Sequence, residues 1–223
     1  MNASYPPPPE QLPVIPWEDH GRSSFDGLFA TVKLFATSPS EAFSRMPVTG
    51  GIGRPLFYAI AVGWVSIAIA VFWNVLFQGM WLPFMESMDD VAGMGAMYGL
   101  TIGWGLLMVV LAPLFVIIGV FLAAAILHLM LMIVGGASSG FEATVRVVCY
   151  TQTAQLAGII PFCGGIITLV WTVVLYVTGF SIAHRTTQGK AVLAVLLPIV
   201  LCCVMGVVFA MVAGGLAALF SSQ

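Results

Sequence analysis

The stretch LTIGWGLLMVVLAPLFVIIGVFLAAAILHLMLMIV, Leu100 to Val134, carries no formal charge and decides the class of this chain. Onward to Phe220 the formal charges are four, Glu142, Arg146, Arg185 and Lys190. They fall in two polar breaks, 135–146 and 183–190, between apolar blocks of membrane-spanning length. With 7% charged residues, 60% hydrophobic residues and a mean hydropathy of +1.06, the rest of the chain agrees. A soluble domain keeps roughly a quarter of its residues charged. The sequence therefore predicts an all-α, multi-pass transmembrane helical bundle in contact with the lipid bilayer. A net charge of −2 gives no basic footprint for nucleic acid.

Three regions are expected. Residues 1–20, with Pro6 to Pro9, Pro13 and Pro16, read as a disordered Pro-rich cytosolic tail, since proline favours extended chain over helix. Pro13-Val-Ile-Pro16 fits a PxxP pattern, so the tail is either a linker or a docking segment for protein partners. Residues 21–55 are expected to form short amphipathic helices in the membrane interface. From Ser24 to Ala36 the apolar Phe25, Leu28, Phe29, Val32 and Phe35 recur at helical spacing. Ser38-Pro39-Ser40-Glu41 then predicts an N-cap, a first-turn proline and a capping-box glutamate for a second helix ending near Met46. Residues 56–220 are the membrane domain. The first 50 residues hold no apolar core of signal-peptide length, so the first span is expected to act as an uncleaved anchor. Lipidation motifs are not seen, and Asn2-Ala3-Ser4 would be a silent glycosylation triplet on a cytosolic tail.

Apolar length predicts spans at Leu56–Phe77, within Val91–Val134, at about Val145–Ile160, at Gly164–Ala183 and from Val192 to about Ala217. Val91–Val134 would reach about 66 Å as one helix, so charge must decide whether it crosses once or twice. A single crossing puts Arg22, Lys33, Arg45, Arg54, Arg146, Arg185 and Lys190 all on the side of the N-terminus, with Glu86, Asp89 and Asp90 opposite. The positive-inside rule selects that arrangement: five spans, cytosolic N-terminus, non-cytosolic C-terminus. Surplus residues at the start of the long stretch would form a helical extension or a re-entrant piece. Gly95, Gly99 and Gly103 share a face there and would suit close helix contact or a homo-oligomer interface.

Chemistry is sparse. Gly136-Ala-Ser-Ser-Gly140 matches the G-x-S-x-G elbow, with Glu142 and His184 following in order, yet it lies between membrane helices rather than after a strand. Met85, Met88, Met94 and Met97 have a spacing that suits Cu(I), and equally suits apolar filling. Cys149, Cys163, Cys202 and Cys203 sit in or beside apolar blocks and read as small hydrophobes, not a disulfide framework. His128 is the most informative titratable residue, because a polar group in hydrocarbon needs a partner. Arg146 and Gln152 on the next span are the candidates, and with Tyr150 they belong to the most polar span. Interhelical hydrogen bonding and a proton or solute path are the competing roles. His184, Arg185 and Lys190 are expected to hold their loop in the cytosol. His128, Glu142, Arg146, Tyr150, Gln152 and His184 are thus the candidate functional or packing residues. No catalytic set, cofactor or metal site is expected.

The string of motifs resembles the bacterial branch of the Yip1-domain family. It runs Ser38-Pro39-x-Glu41-x-Phe43, Pro113-Leu-Phe115, Ala125-Ile-Leu-His128, Gly135-Gly136, Gly140-Phe-Glu-Ala-Thr144-x-Arg146-Val-Val-x-Tyr150, Ile160-Pro161, Ala183-His184, Lys190-Ala191 and Leu196-Leu-Pro198. The resemblance covers about 34–198 and implies a five-span helical domain with a cytosolic N-terminal region. In a bacterium that means the inner membrane. Eukaryotic relatives are implicated in vesicle traffic and bind prenylated Rab-type GTPases and one another. Their Asp-Leu-Tyr-Gly-Pro-like motif is absent here, so GTPase binding does not transfer. The resemblance implies a non-catalytic protein that organises or binds membrane and protein partners. A small transporter or channel using the His128/Gln152 region is the alternative.

Overall fold

Apolar length and short polar breaks produce an all-helical chain. The computed structural model describes residues 14–19, 21, 23–85 and 91–221. Helices α1 (Ser24–Thr37) and α2 (Pro39–Ser44) precede α3 (Gly53–Met85) and α4 (Val91–Ile133). Then come α5 (Gly140–Thr151), a 3-10 segment (Gln152–Ile159), α6 (Gly164–Ala183) and α7 (Gln188–Ser221). No strand occurs among the described residues. Glu86, Asp89, Asp90 and Met88 lie outside the described residues, as do Pro6 to Pro9 and Pro13.

Four helical segments, rather than five, are long and apolar enough to cross a membrane among the described residues: Gly53–Trp81, Met97–Ile133, Gly164–Ala183 and Gln188–Met211. Their large side chains mostly point outward, Leu100, Val110 and Phe209 being about three-quarters exposed. An apolar surface this extensive belongs against lipid. Val91–Val134 is one helix through Pro113, which supports the helical extension over the re-entrant piece. At 1.5 Å per residue α4 is about 64 Å long, twice the hydrocarbon thickness.

The expected third span, 145–160, is the correction. It is not one apolar helix but α5 followed by the 3-10 segment. Its composition explains the break. The Thr151 and Thr153 hydroxyls donate to the carbonyls of Val147 and Tyr150 at 2.8 Å, and such back-bonding bends helices. Gly158 adds a poor helix former near the end.

The N-terminal regions also differ from expectation. Residues 14–19, assigned to a disordered tail, are part of the fold: Ile15 is fully buried, and the Trp17 indole donates to the Arg54 carbonyl at 2.7 Å. Gly27 permits this docking, since a Cβ there would stand 2.9 Å from the Pro16 carbonyl oxygen. Helix α1 fits an interfacial helix, with Phe35 buried and Phe25 and Phe29 exposed. Ser23 caps it, accepting from the Asp26 amide at 3.2 Å. Helix α2 is amphipathic, with Ser40, Glu41 and Ser44 exposed. Its Ala42 and Phe43 are buried, and Gly179 on α6 leaves room for Phe43 and Val147, where a Cβ would approach within 2.6–2.9 Å. Nor does a capping box form: the Ser38 side chain makes no cap, and Glu41 pairs with Arg45.

Five chain ends converge on one end of the bundle. Gly51, before α3, bonds to α5; Ser138, between α4 and α5, bonds to the His184 carbonyl after α6; and the Lys190 ammonium donates to Gly135 at 3.0 Å. At the other end the loop before α6 reaches far along α3, with the Phe162 ring tilted against Phe77 at 5.0 Å.

Candidate functional site

Helix α5 is short because it is enclosed. Nine of its twelve residues, Ala143 to Thr151, are buried, so its polar side chains must find protein partners. Three groups of polar contacts result.

The first joins α5 to the N-terminal segment. Arg146, fully buried, donates through Nη2 to both Glu18 oxygens at 2.5 and 2.6 Å, and through Nη1 to the Gly51 carbonyl. The Tyr150 hydroxyl also donates to Glu18. One turn before Arg146, Glu142 accepts from the Gly51 amide at 2.7 Å. Glu142 and Arg146 thereby clamp both sides of one residue, whose φ of +92° favours glycine. Glu142 also sits in the first turn of α5, where the helix dipole favours an anion. Aromatic rings close over this cluster: Phe35 stacks on Tyr150 at 5.0 Å and Tyr58 lies 5.1 Å from it. Tyr58 donates to Thr153 at 2.6 Å.

The second group holds both candidate histidines. Thr144 Oγ1 lies 2.8 Å from His128 Nδ1 and 2.9 Å from His184 Nε2, and the Ser139 amide donates to His184 Nδ1 at 3.2 Å. A backbone N–H can only donate, so His184 carries its proton on Nε2 and donates it to Thr144, whose hydroxyl oxygen also bonds His128 Nδ1. Ser139 thereby fixes the His184 tautomer. Burial, and then the facing His128 ring, push the His184 pKa down to about 4 from 6.5. Protonating Nδ1 would set two N–H groups against each other, which works in the same direction.

The third is a crevice of about 340 Å³ between α3, α4, the 3-10 segment and α6, lined by Ser66, Gln152, Gln155 and Thr168 among glycines and apolar residues. Gln152, at the start of the 3-10 segment, lines this crevice, which includes neither histidine. The expected pairing of His128 with Gln152 or Arg146 is therefore not what forms: Thr144 is the partner of His128.

The elbow motif is also resolved. The Ser138 hydroxyl donates to the His184 carbonyl and not to its imidazole, while Glu142 is turned to Gly51, so no nucleophile–base–acid order exists. Among the described residues no group of His, Cys, Asp or Glu could hold a metal ion, and all four cysteines are free. Of the methionine pattern, Met88 and the side chains of Met85 and Met94 lie outside the described residues.

The Yip1 domain matches residues 32–210, most of the chain. This protein belongs to the Yip1-domain family. No curated protein and no solved structure matches it. The match takes in the histidine relay, Gly51, Glu142, Arg146 and Tyr150 of this Yip1-domain chain, but begins after Glu18. Glu18 and Thr144 are the polar partners that sequence reasoning missed. The signal for Glu18 was available: a buried arginine needs an acid, and the charge argument had already removed Glu86, Asp89 and Asp90 to the other side.

Proposed function

We propose that this is a non-catalytic integral membrane protein that organises or binds membrane and protein partners from the end where its cations gather. The observation that carries this is the anchoring of the N-terminal segment: Glu18 on Arg146 and Trp17 on Arg54 hold residue 14 at that end, so the preceding Pro-rich residues leave from it. Arg54, Arg146, Arg185 and Lys190 stand at the same end. The positive-inside rule makes it the cytosolic end, with the bacterial inner membrane as the setting.

The same reading keeps five crossings. α5 and the 3-10 segment together extend about 34 Å at their usual rises, enough to span, and the Phe162–Phe77 contact supports their arrival at the far end. A non-helical span is tolerated where protein encloses it. An odd number of crossings puts the C-terminus outside. Gly95, Gly99 and Gly103, each with open space where a Cβ would stand, are the proposed surface for a second copy.

Two experiments test this. With Cys149, Cys202 and Cys203 replaced by serine, Cys163 should react with an impermeant thiol reagent from outside, and a Ser138→Cys variant that also carries Cys163→Ser only from inside. Reaction of both from one side would sink the fifth crossing. Crosslinking and pulldown with and without residues 1–13 should lose at least one partner on deletion. If every partner stays, the Pro-rich segment has no docking role.

A further inference from the structure

The polar crevice beside the 3-10 segment is not used by any contact described so far. Its α3 wall, Gly63, Ser66, Ile67 and Ala70, lies about 15–25 Å along α3 from Gly53, near the middle of a 30 Å hydrocarbon layer. At that depth an unsatisfied amide is costly, and polar residues there mark pathways or ligand sites. Yet the half-buried Gln152 and the exposed Gln155, both lining the crevice, make no side-chain hydrogen bond to any described residue. Thr172, one turn beyond Thr168 on α6, has a buried hydroxyl without a partner. By contrast, Trp64, Asn74, Gln78, Tyr98 and Thr101 on α3 and α4 all have protein partners. Unpartnered buried atoms also occur at Trp73 and Arg146, but the crevice brings two unpartnered glutamine side chains together on one wall.

We propose that this crevice binds the hydroxyl groups of an uncharged molecule at mid-membrane depth. Each glutamine amide offers both a donor and an acceptor, which complements a hydroxyl, and no charged residue lines the crevice to compensate an ion. Its volume lies at the lower end of small-molecule sites. The hydroxyls come either from a neutral lipid such as diacylglycerol, entering sideways, or from a small polyol such as glycerol. A neighbouring apolar groove, sharing Ile67 and Ala70 and walled by Trp104, Met108 and Phe115, gives an acyl chain somewhere to lie. The inference needs α5 and the 3-10 segment to be in the membrane, but not the partner-binding role.

The test uses the full chain in two arms. In phosphatidylcholine nanodiscs, a photoactivatable diacylglycerol should attach to residues 63–70 and 152–158, and Gln152→Leu/Gln155→Leu should reduce this about tenfold, two hydrogen bonds being lost. In proteoliposomes, stopped-flow light scattering should detect glycerol entry above that of empty vesicles, again lost in the double variant. Labelling identifies the lipid as source and flux identifies the polyol. Neither signal, or signals unchanged in a double variant with wild-type thermal unfolding, overturns the proposal. If that variant does not fold, Ser66→Ala/Thr168→Val replaces it under the same criteria. Failure here with intact tail-dependent pulldown would leave the partner-binding role standing.

Discussion

Helices α4 and α5 pack side by side and obey opposite rules. α4 has 43 residues, most of them apolar, and exposes Leu100, Val110 and Leu122 to its surroundings, whereas α5 has 12 residues and buries nine. A helix facing lipid needs apolar side chains and little else, so its sequence is uniform and its positions are nearly exchangeable. A helix enclosed by other helices can carry arginine, threonine and tyrosine, provided each finds a fixed partner. Specific information in this bundle is therefore concentrated in its least hydrophobic element.

Glu18→Ala should break that contrast most severely. It leaves the Arg146 charge buried with only the Gly51 carbonyl and removes the acceptor of Tyr150, at a cost of about 3–5 kcal/mol, typical for one partner of a buried pair. Thermal unfolding in detergent measures it. Glu18→Leu with Arg146→Leu should recover most of the loss, and Leu122→Ala on the exposed face of α4 should cost far less than either single change. An unchanged midpoint in Glu18→Ala would mean the N-terminal segment is not docked through this pair.

The same contrast explains what the sequence made legible. Hydropathy located α3, α4, α6 and α7, because each is read against lipid and only length and charge matter. It read residues 145–160 as one apolar helix and missed the change to 3-10 geometry, where the Thr151 and Thr153 hydroxyls turn back onto the backbone. His128 was recognisable as a residue in need of a partner, but Thr144, sixteen positions on, became that partner through the turn at Gly135 and Gly140. The docked Ile15, Trp17 and Glu18 were hidden by the prolines around them, which signal extended chain whether or not it packs.

Thr144→Val comes next in size. It keeps the shape but leaves the His184 Nε2–H and the His128 Nδ1 without their shared partner, at a cost of about 1–3 kcal/mol by the same unfolding measurement. A midpoint equal to wild type would mean the relay carries no packing energy. Gly179→Ala should fall in a similar range, about 1–3 kcal/mol, by driving a methyl into Val147 and Phe43.

Acidification should act on the same relay with a smaller effect over the range from pH 7 to 5.5. The His184 pKa is depressed in the folded state, so the unfolded chain binds the extra proton. Stability from this residue is fully present above about pH 6.5 and is lost progressively as pH falls to about 4. His184→Leu should flatten the dependence in that window whatever its overall cost. An identical pH profile in wild type and variant would remove His184 as its source.

Gly99→Leu should have the smallest effect on the folded chain, within about 0.5 kcal/mol, because open space surrounds the position. That indifference makes it diagnostic. Gly179 is tight because another part of the same chain fills the space, while Gly95, Gly99 and Gly103 keep an equally bare face with nothing against it. If a second copy packs there, Gly99→Leu should abolish the crosslinked dimer in native membranes and leave the monomer's unfolding midpoint unaffected. A dimer that survives the substitution would place the contact elsewhere, and the glycines would then mark only a smooth, lipid-facing stretch of α4.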